Sequence, residues 1–483
     1  MSCVVPFMRL SPLSVLPVLA ALVGGSVLSG GPAAGVTPSA TAPALSWDFD
    51  GDGIRDLAAG QVGNEEGGPG QVLVRRGSAD GYGPATVLRH PEAPEGNEGF
   101  GTSLASADLD LDGYADLVVG APGYYPQPDG YGSVTVFHGS PAGLTQAAAT
   151  STVWPRRADG DLVSFGRSVV IASLDGDQWP DLAVGAPDDD GDNRGTDRSS
   201  VVLLRGGPAG FSAARSSTVP RPADTKWFGQ TLAAGDVDRD GHVDLVESSS
   251  ADTRRHIAWL RGTATGPRTA KVISSRSADS IAIGKVTGDR FPDVVTSRPY
   301  ARYDPTTRKP HAGVGSVTLF RGSASGPRAG VTATQESRGV HGSSAYGDFF
   351  GASVTIADVN HNGRNEVVVG VPRRDVGGIK DAGAITLLRV GRTGFRTTGN
   401  RTLTQVPANV PGEPGKFDNF GRNVSAQDRT GDGVPDVLVA SRVAGSARGV
   451  LTVLRVVDGP LASAPGTAWE VLDGALPRDA STD

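Results

Sequence analysis

The chain of 483 residues is poor in the residues that usually stiffen an exported domain. It has one cysteine, Cys3, so no disulfide can form within it, and it has two methionines. Aromatic residues make up 6%. No apolar run after residue 44 is long enough to span a bilayer, which excludes a helical membrane domain in that region. No basic excess exists either: the net charge is −7, which gives no electrostatic footing for a nucleic-acid partner. Gly-x-Ser-x-Gly elbows, His-Glu-x-x-His and phosphate-cradling loops are all missing, and the seven histidines show no metal-ligand spacing. His138, at the end of an apolar run, is read as structural. No catalytic residue is assigned.

Glycine (68) and proline (34) are abundant, while hydrophobic residues stay at 38%. That combination implies many short strands joined by tight turns. Residues 1–44 stand apart. Arg9 precedes the interrupted apolar run Leu10 to Leu28, and small residues follow from Gly30 to Ala44. This is the layout of a secretory signal and linker, with Cys3 in the segment to be removed. A secreted protein without disulfides and without a later membrane span is expected, with a short C-terminal tail at 476–483.

Between them, over 45–475, one unit recurs. Its acidic core reads DFDGDGIRD (48–56), DLDLDGYAD (108–116), SLDGDQWPD (173–181), DVDRDGHVD (236–244), KVTGDRFPD (285–293), DVNHNGRNE (358–366) and DRTGDGVPD (428–436). The last acids of successive copies lie 49 to 73 residues apart. Phe-Gly pairs (100–101, 165–166, 228–229, 350–351, 420–421) open most units. A run such as DLVVG follows each loop, then a third run such as GSVTVFHG, SVVLLRG or GSVTLFRG, then a weaker fourth. Four strands cannot bury their own apolar faces, and stacking seven such sheets in a ring solves this. The predicted fold is an all-β, seven-bladed β-propeller with four antiparallel strands per blade. Ala44 to Trp47 would supply the innermost strand of blade 1, and Thr467 to Leu472 the outer strand of blade 7.

Carboxylates recur at loop positions 1, 3, 5 and 9, and position 7 can offer its backbone carbonyl. Acids converging in this way repel unless a cation joins them, and an all-oxygen set with a glycine turn favours calcium. Loops 1 (Asp48, Asp50, Asp52, Ile54, Asp56), 2 (Asp108, Asp110, Asp112, Tyr114, Asp116) and 4 (Asp236, Asp238, Asp240, His242, Asp244) are complete. Loops 3 (Asp175, Asp177, Trp179, Asp181), 6 (Asp358, Asn360, Asn362, Arg364, Glu366) and 7 (Asp428, Thr430, Asp432, Val434, Asp436) are reduced. Loop 5 keeps Asp289 and Asp293, and Lys285 is expected to replace the cation there. Three to six calcium ions follow.

The order Phe-Gly, DxDxDGxxD, Gly-Ala-Pro resembles the FG-GAP repeat of the integrin alpha-subunit propeller. The resemblance implies seven blades, calcium in the loop between first and second strands, and adhesion or recognition. The expected partner is a protein or glycan, held by a monomer through the variable loops on the other rim. Those loops offer Tyr124, Tyr125 and Tyr131, the Asp188–Asp190 and Asp192 cluster, and Arg298, Tyr300, Arg302, Tyr303, Arg308, Lys309 and His311. The alternative is a secreted hydrolase or lyase with a site at the propeller's central opening.

Overall fold

The computed structural model describes residues 44–62, 70–78, 81–91, 99–123, 132–147, 150–153, 156–157, 160–161, 164–187, 199–208, 210–211, 215–222, 225–249, 255–299, 315–340, 345, 347–405, 414–429, 433–442, 449–454 and 469–474. The expected signal segment and tail lie outside them. So do Thr430, Asp432 and all the variable-loop residues named above except Arg298.

The described residues form sheets of antiparallel strands and no α-helix, so no helix among them is long and apolar enough to cross a membrane. Blade 1 contains Leu57–Gln61, Gln71–Ser78 and Gly81–Arg89. Blade 2 contains Ser103–Ala107, Asp116–Ala121, Ser133–Phe137 and Thr150–Val153. Blade 3 follows with Ser168–Ala172, Asp181–Ala186, Ser200–Leu204 and Ser216–Thr218. Blade 4 is Thr231–Gly235, Asp244–Ser249, His256–Arg261 and Arg268–Ser274. In blade 5 the strands are Ser280–Gly284, Asp293–Arg298, Ser316–Phe320 and Val331–Thr334. Blade 6 has Val354–Ala357, Glu366–Val371, Ala384–Leu388 and Arg401–Leu403. Blade 7 has Asn423–Gln427, Asp436–Arg442, Gly449–Leu454 and Trp469–Gly474.

Six sheets therefore have four strands paired in chain order, and the first has three. The strand expected at Ala44 to Trp47 is absent. Asp48 N–H donates to Leu45 O in a turn, and Trp47 takes a left-handed φ of 73°, which bends the chain away from an extended path. This short segment instead leans on blade 2, where Trp47 N–H donates to Ser106 Oγ (2.9 Å). The expected outer strand of blade 7 is present at Trp469–Gly474.

Second strands such as Asp116–Ala121 and Glu366–Val371 are buried at every residue, because a neighbouring blade covers each face. The core is correspondingly a series of clusters shared by consecutive blades. Val118, Val134 and Val136 of blade 2 pack with Phe165, Leu182 and Val184 of blade 3, and the same arrangement continues around the ring. Leu438 of blade 7 joins the cluster of Phe49, Leu57 and Val72, and Gln427 Nε2 donates to Asp56 O at 3.2 Å, so the last blade meets the first. The five Phe-Gly phenylalanines are buried between blades. Each contributes roughly 1.5–3 kcal/mol on burial.

The adjoining glycines are fixed by contact between backbones. A Cβ at Gly120 would lie 2.1 Å from Gly166 O of the next blade, and one at Gly185 would overlap Gly229 O. Within a blade, Gly166 N–H donates to Gly185 O at 3.2 Å. The Phe-Gly pair and the glycine ending the second strand are thus two halves of one inter-blade contact.

Candidate metal centres

Each acidic loop joins the end of a first strand to the start of a second, so all of them share one rim. Blade 1, without a first strand, begins directly with its loop. The position 1 carboxylate closes the loop on itself. In loop 1, Asp48 Oδ1 and Oδ2 accept from Asp52 N–H (3.1 Å) and Gly53 N–H (2.9 Å). Asp108, Asp236 and Asp358 repeat this pair of bonds, and Asp428 accepts from Gly433. Position 5 then accepts from the position 7 N–H, as Asp112 does from Tyr114 (2.9 Å) and Asp177 from Trp179 (2.8 Å). Position 4 is left-handed even where it is not glycine, at Leu111, Arg239 and His361. Such backbone persists only where surrounding bonds impose it.

These turns point carboxylates at one another. Oxygens of Asp48, Asp50 and Asp52 lie mutually within 4.8 Å, as do those of Asp108, Asp110 and Asp112, and of Asp236, Asp238 and Asp244. Each of the three loops that the sequence marks as complete thus gathers carboxylate oxygens, among the described residues. Burial raises the Asp48, Asp110, Asp112 and Asp238 carboxyls, and their acidic neighbours add to the rise. Asp110 Oδ1, Asp428 Oδ1 and Glu366 Oε2 are buried and have no hydrogen-bond partner. Orphaned oxygens in a cluster of like charge fit a hard dication, and the residues that would hold it are those at positions 1, 3 and 5.

The position 9 acid has a second task. Asp116 is buried, with Oδ2 accepting from Leu109 N–H (2.8 Å) and Oδ1 from Gly139 N–H (2.9 Å). Asp56, Asp181, Asp244 and Asp293 make the same two bonds to loop position 2 and to a glycine at the end of the third run. This carboxylate ties the loop to the sheet whether or not an ion is present. Burial pushes Asp56 up to about 7 and Asp244 up to about 6, and Glu366 in loop 6 up to about 7.

The reduced loops differ in how they close. In loop 3, Ser173 Oγ donates to Asp177 O (2.9 Å) where an acid would stand. In loop 5, the Thr287 hydroxyl turns inward to Asp293 Oδ2 (2.9 Å), and Lys285 is exposed. The hydroxyl, rather than the lysine expected from the sequence, holds that loop.

A further set of residues belongs to the site: the basic residue that follows each third run. Arg76 Nε meets Asp50 Oδ2 at 2.8 Å, and Arg205 Nη1 contacts Asp175 Oδ2. Arg261 meets Asp238 and Asp240 at 2.8 Å each. His138, read from the sequence as structural, occupies the same place in blade 2, with Nδ1 3.3 Å from Asp116 and 3.7 Å from Asp110. The recurring basic residue before glycine in FHG, LLRG and LFRG was the sequence signal for it.

On the opposite rim, Asp279 precedes the first strand of blade 5 and Arg298 ends the second strand. Asp279 is solvent-exposed, yet desolvation pushes it up to about 6, against the pull of Arg298, Arg255 and Arg167.

Residues 100–137 and 350–388 match the FG-GAP repeat family. Integrin alpha-7 of Rattus norvegicus is 35% identical over 186 residues, a match covering 38% of this chain and 15% of that protein. Phosphatidylinositol-glycan-specific phospholipase D of Rattus norvegicus is 34% identical over 179 residues, covering 34% of this chain and 21% of that protein. The chain thus spans a small part of the length of the curated relatives it matches. Among solved structures, the Dos1 propeller aligns over 81% of this chain and 73% of its own, with 11% identity and a TM-score of 0.43.

Proposed function

We propose that this FG-GAP-repeat β-propeller is a secreted, calcium-holding recognition or adhesion module, non-catalytic and monomeric, that binds a protein or glycan. The observation that carries the reading is the convergence of position 1, 3 and 5 carboxylates in repeated loops along one rim. Ions there would hold like charges together and leave the other rim, with its unequal loops, to meet a ligand. The similarity to an integrin alpha chain supports adhesion as the use. Isothermal titration of the chelator-treated chain tests the metal: calcium binds at more than one site and magnesium far more weakly. Capture on protein and glycan arrays in calcium, lost in chelator, tests the recognition role. Equal indifference to both ions rejects the metal reading, and capture unaffected by chelator rejects the link between metal and ligand.

One observation favours a second reading, a hydrolase or lyase at the central opening. Asp279, accessible and raised to about 6 beside three arginines, has the character of an acid–base group. Turnover on polysaccharide or ester panels that Asp279→Asn abolishes would replace the recognition reading.

A further inference from the structure

The position 3 carboxylate is not equally available in the complete loops. In loop 1, Asp50 Oδ2 is held by Arg76 (2.8 Å) and Oδ1 accepts from Asp52 N–H (3.4 Å). In loop 4, Asp238 Oδ2 is held by Arg261 and Oδ1 accepts from Asp240 N–H (3.2 Å). Loop 3 shows the same pattern with Arg205. Two of these guanidinium groups, those of Arg76 and Arg205, are anchored at both ends. Arg76 Nη2 donates to Pro141 O (2.9 Å) and Arg205 Nη2 to Thr265 O (2.8 Å), each a turn carbonyl of the next blade. Arg321 of blade 5, whose loop has threonine at position 3, keeps only the inter-blade bond, to Arg392 O (3.1 Å). The carboxylate contact therefore follows the acid, while the reach to the next blade persists without it.

Loop 2 departs from this pattern. His138 Nδ1 stands 3.7 Å from Asp110 Oδ2, beyond hydrogen-bond reach, and no guanidinium among the described residues is paired with this carboxylate. Its carboxylates at positions 1 and 5 nonetheless stand within the same 4.8 Å cluster.

We infer that the basic residue closing the third strand grades the loops for calcium, making loop 2 the tightest site and holding loops 1 and 4 at lower affinity. The inference rests on the calcium reading of these loops. A fixed guanidinium neutralises one ligand charge and repels an entering dication. Even at a water-like dielectric, a unit positive charge about 5 Å from a dication weakens binding on the order of tenfold. The same guanidinium keeps its loop closed without metal, so loop 2 is the one whose shape depends most on the ion.

Calorimetric titration of calcium into the full chain, with two variants that change this position in opposite directions, tests the proposal. His138→Arg places a guanidinium beside Asp110, and the first calcium should bind about tenfold more weakly. Arg76→Gln frees Asp50, and a second tight calcium should appear at loop 1. Melting curves confirm that each variant is folded before titration. A first dissociation constant unchanged by His138→Arg in a folded protein overturns the proposal, as does weaker binding in Arg76→Gln. No calcium binding in the wild-type chain overturns both the proposal and the reading beneath it, whereas binding that ignores these substitutions overturns the proposal alone.

Discussion

His90 sits against blade 2, its Nε2 3.0 Å from Ser133 Oγ and its ring edge-to-face with Phe100 at 5.7 Å. Burial lowers its pKa from an ordinary 6.5 to about 4. The folded state therefore keeps the imidazole neutral over a range where the unfolded chain takes up a proton. Stability from this group is present above pH 6.5 and is lost as pH falls toward about 4, by up to roughly 3 kcal/mol. Equilibrium unfolding of the His90→Gln variant should show a flatter dependence over that interval than wild type, and equal slopes would refute the assignment. The position 9 acids make a different residue-scale case. Asp293 and Asp116 share the same pair of buried bonds although loop 5 lacks the acids that loop 2 carries at positions 1 and 3. Asp293→Ala should cost about 3 kcal/mol or more, with or without calcium, because two charge-assisted bonds are lost. A cost that disappears in chelator would mean that Asp293 acts through an ion.

At the scale of the element, the Phe-Gly pair and the second-strand glycine explain each other. Gly185→Ala drives a methyl group into Gly229 O, a backbone atom that can move only if two blades separate. The expected loss is about 1–3 kcal/mol or more, read from the denaturant midpoint. Blade 5 has Ser297 at the equivalent place, and its Cβ would be 3.2 Å from one on Gly351, so Ser297→Ala should be nearly neutral. Matching losses at the two positions would count against the backbone contact as the cause. This level of organisation was largely legible in sequence, since strand runs, loops and glycines recur in constant order. The missing strand of blade 1 was not legible, because nothing in Leu45–Ser46–Trp47 announces the left-handed turn. Nor was the role of the third-strand arginines. A basic residue at a strand end has many uses, and only the folded blade brings Arg76 from 26 residues away in sequence, beyond its own loop, onto Asp50. The Thr287 bond that closes loop 5 was hidden for the same reason, since a threonine in a turn carries no mark of its partner.

For the whole molecule, loops and blade contacts belong to one structure. Loop 1 is bonded to blade 2 through Ala115 N–H to Asp48 O (2.9 Å) and Ser140 N–H to Phe49 O (3.1 Å). In loop 6, Asn365 Nδ2 reaches Lys285 O of blade 5 at 2.9 Å. An ion that fixes a loop therefore also fixes the seam between two blades. Because the ring closes, a weakened seam is a defect for every blade. An ion that binds only the folded ring stabilises it by mass action, about 2.7 kcal/mol per site when free calcium is a hundred times the dissociation constant. Several such sites should raise the melting temperature on the order of ten degrees relative to chelator, and magnesium should restore little of it. Asp110→Ala should remove a substantial share of that calcium-dependent rise. Asp289→Ala should leave the rise intact, because Asp289 belongs to a loop that Thr287 already closes and that offers no acid at positions 1 or 3. If the two variants lose the same share, the loops are not separate ion sites and the rise comes from general screening of the chain's negative charge.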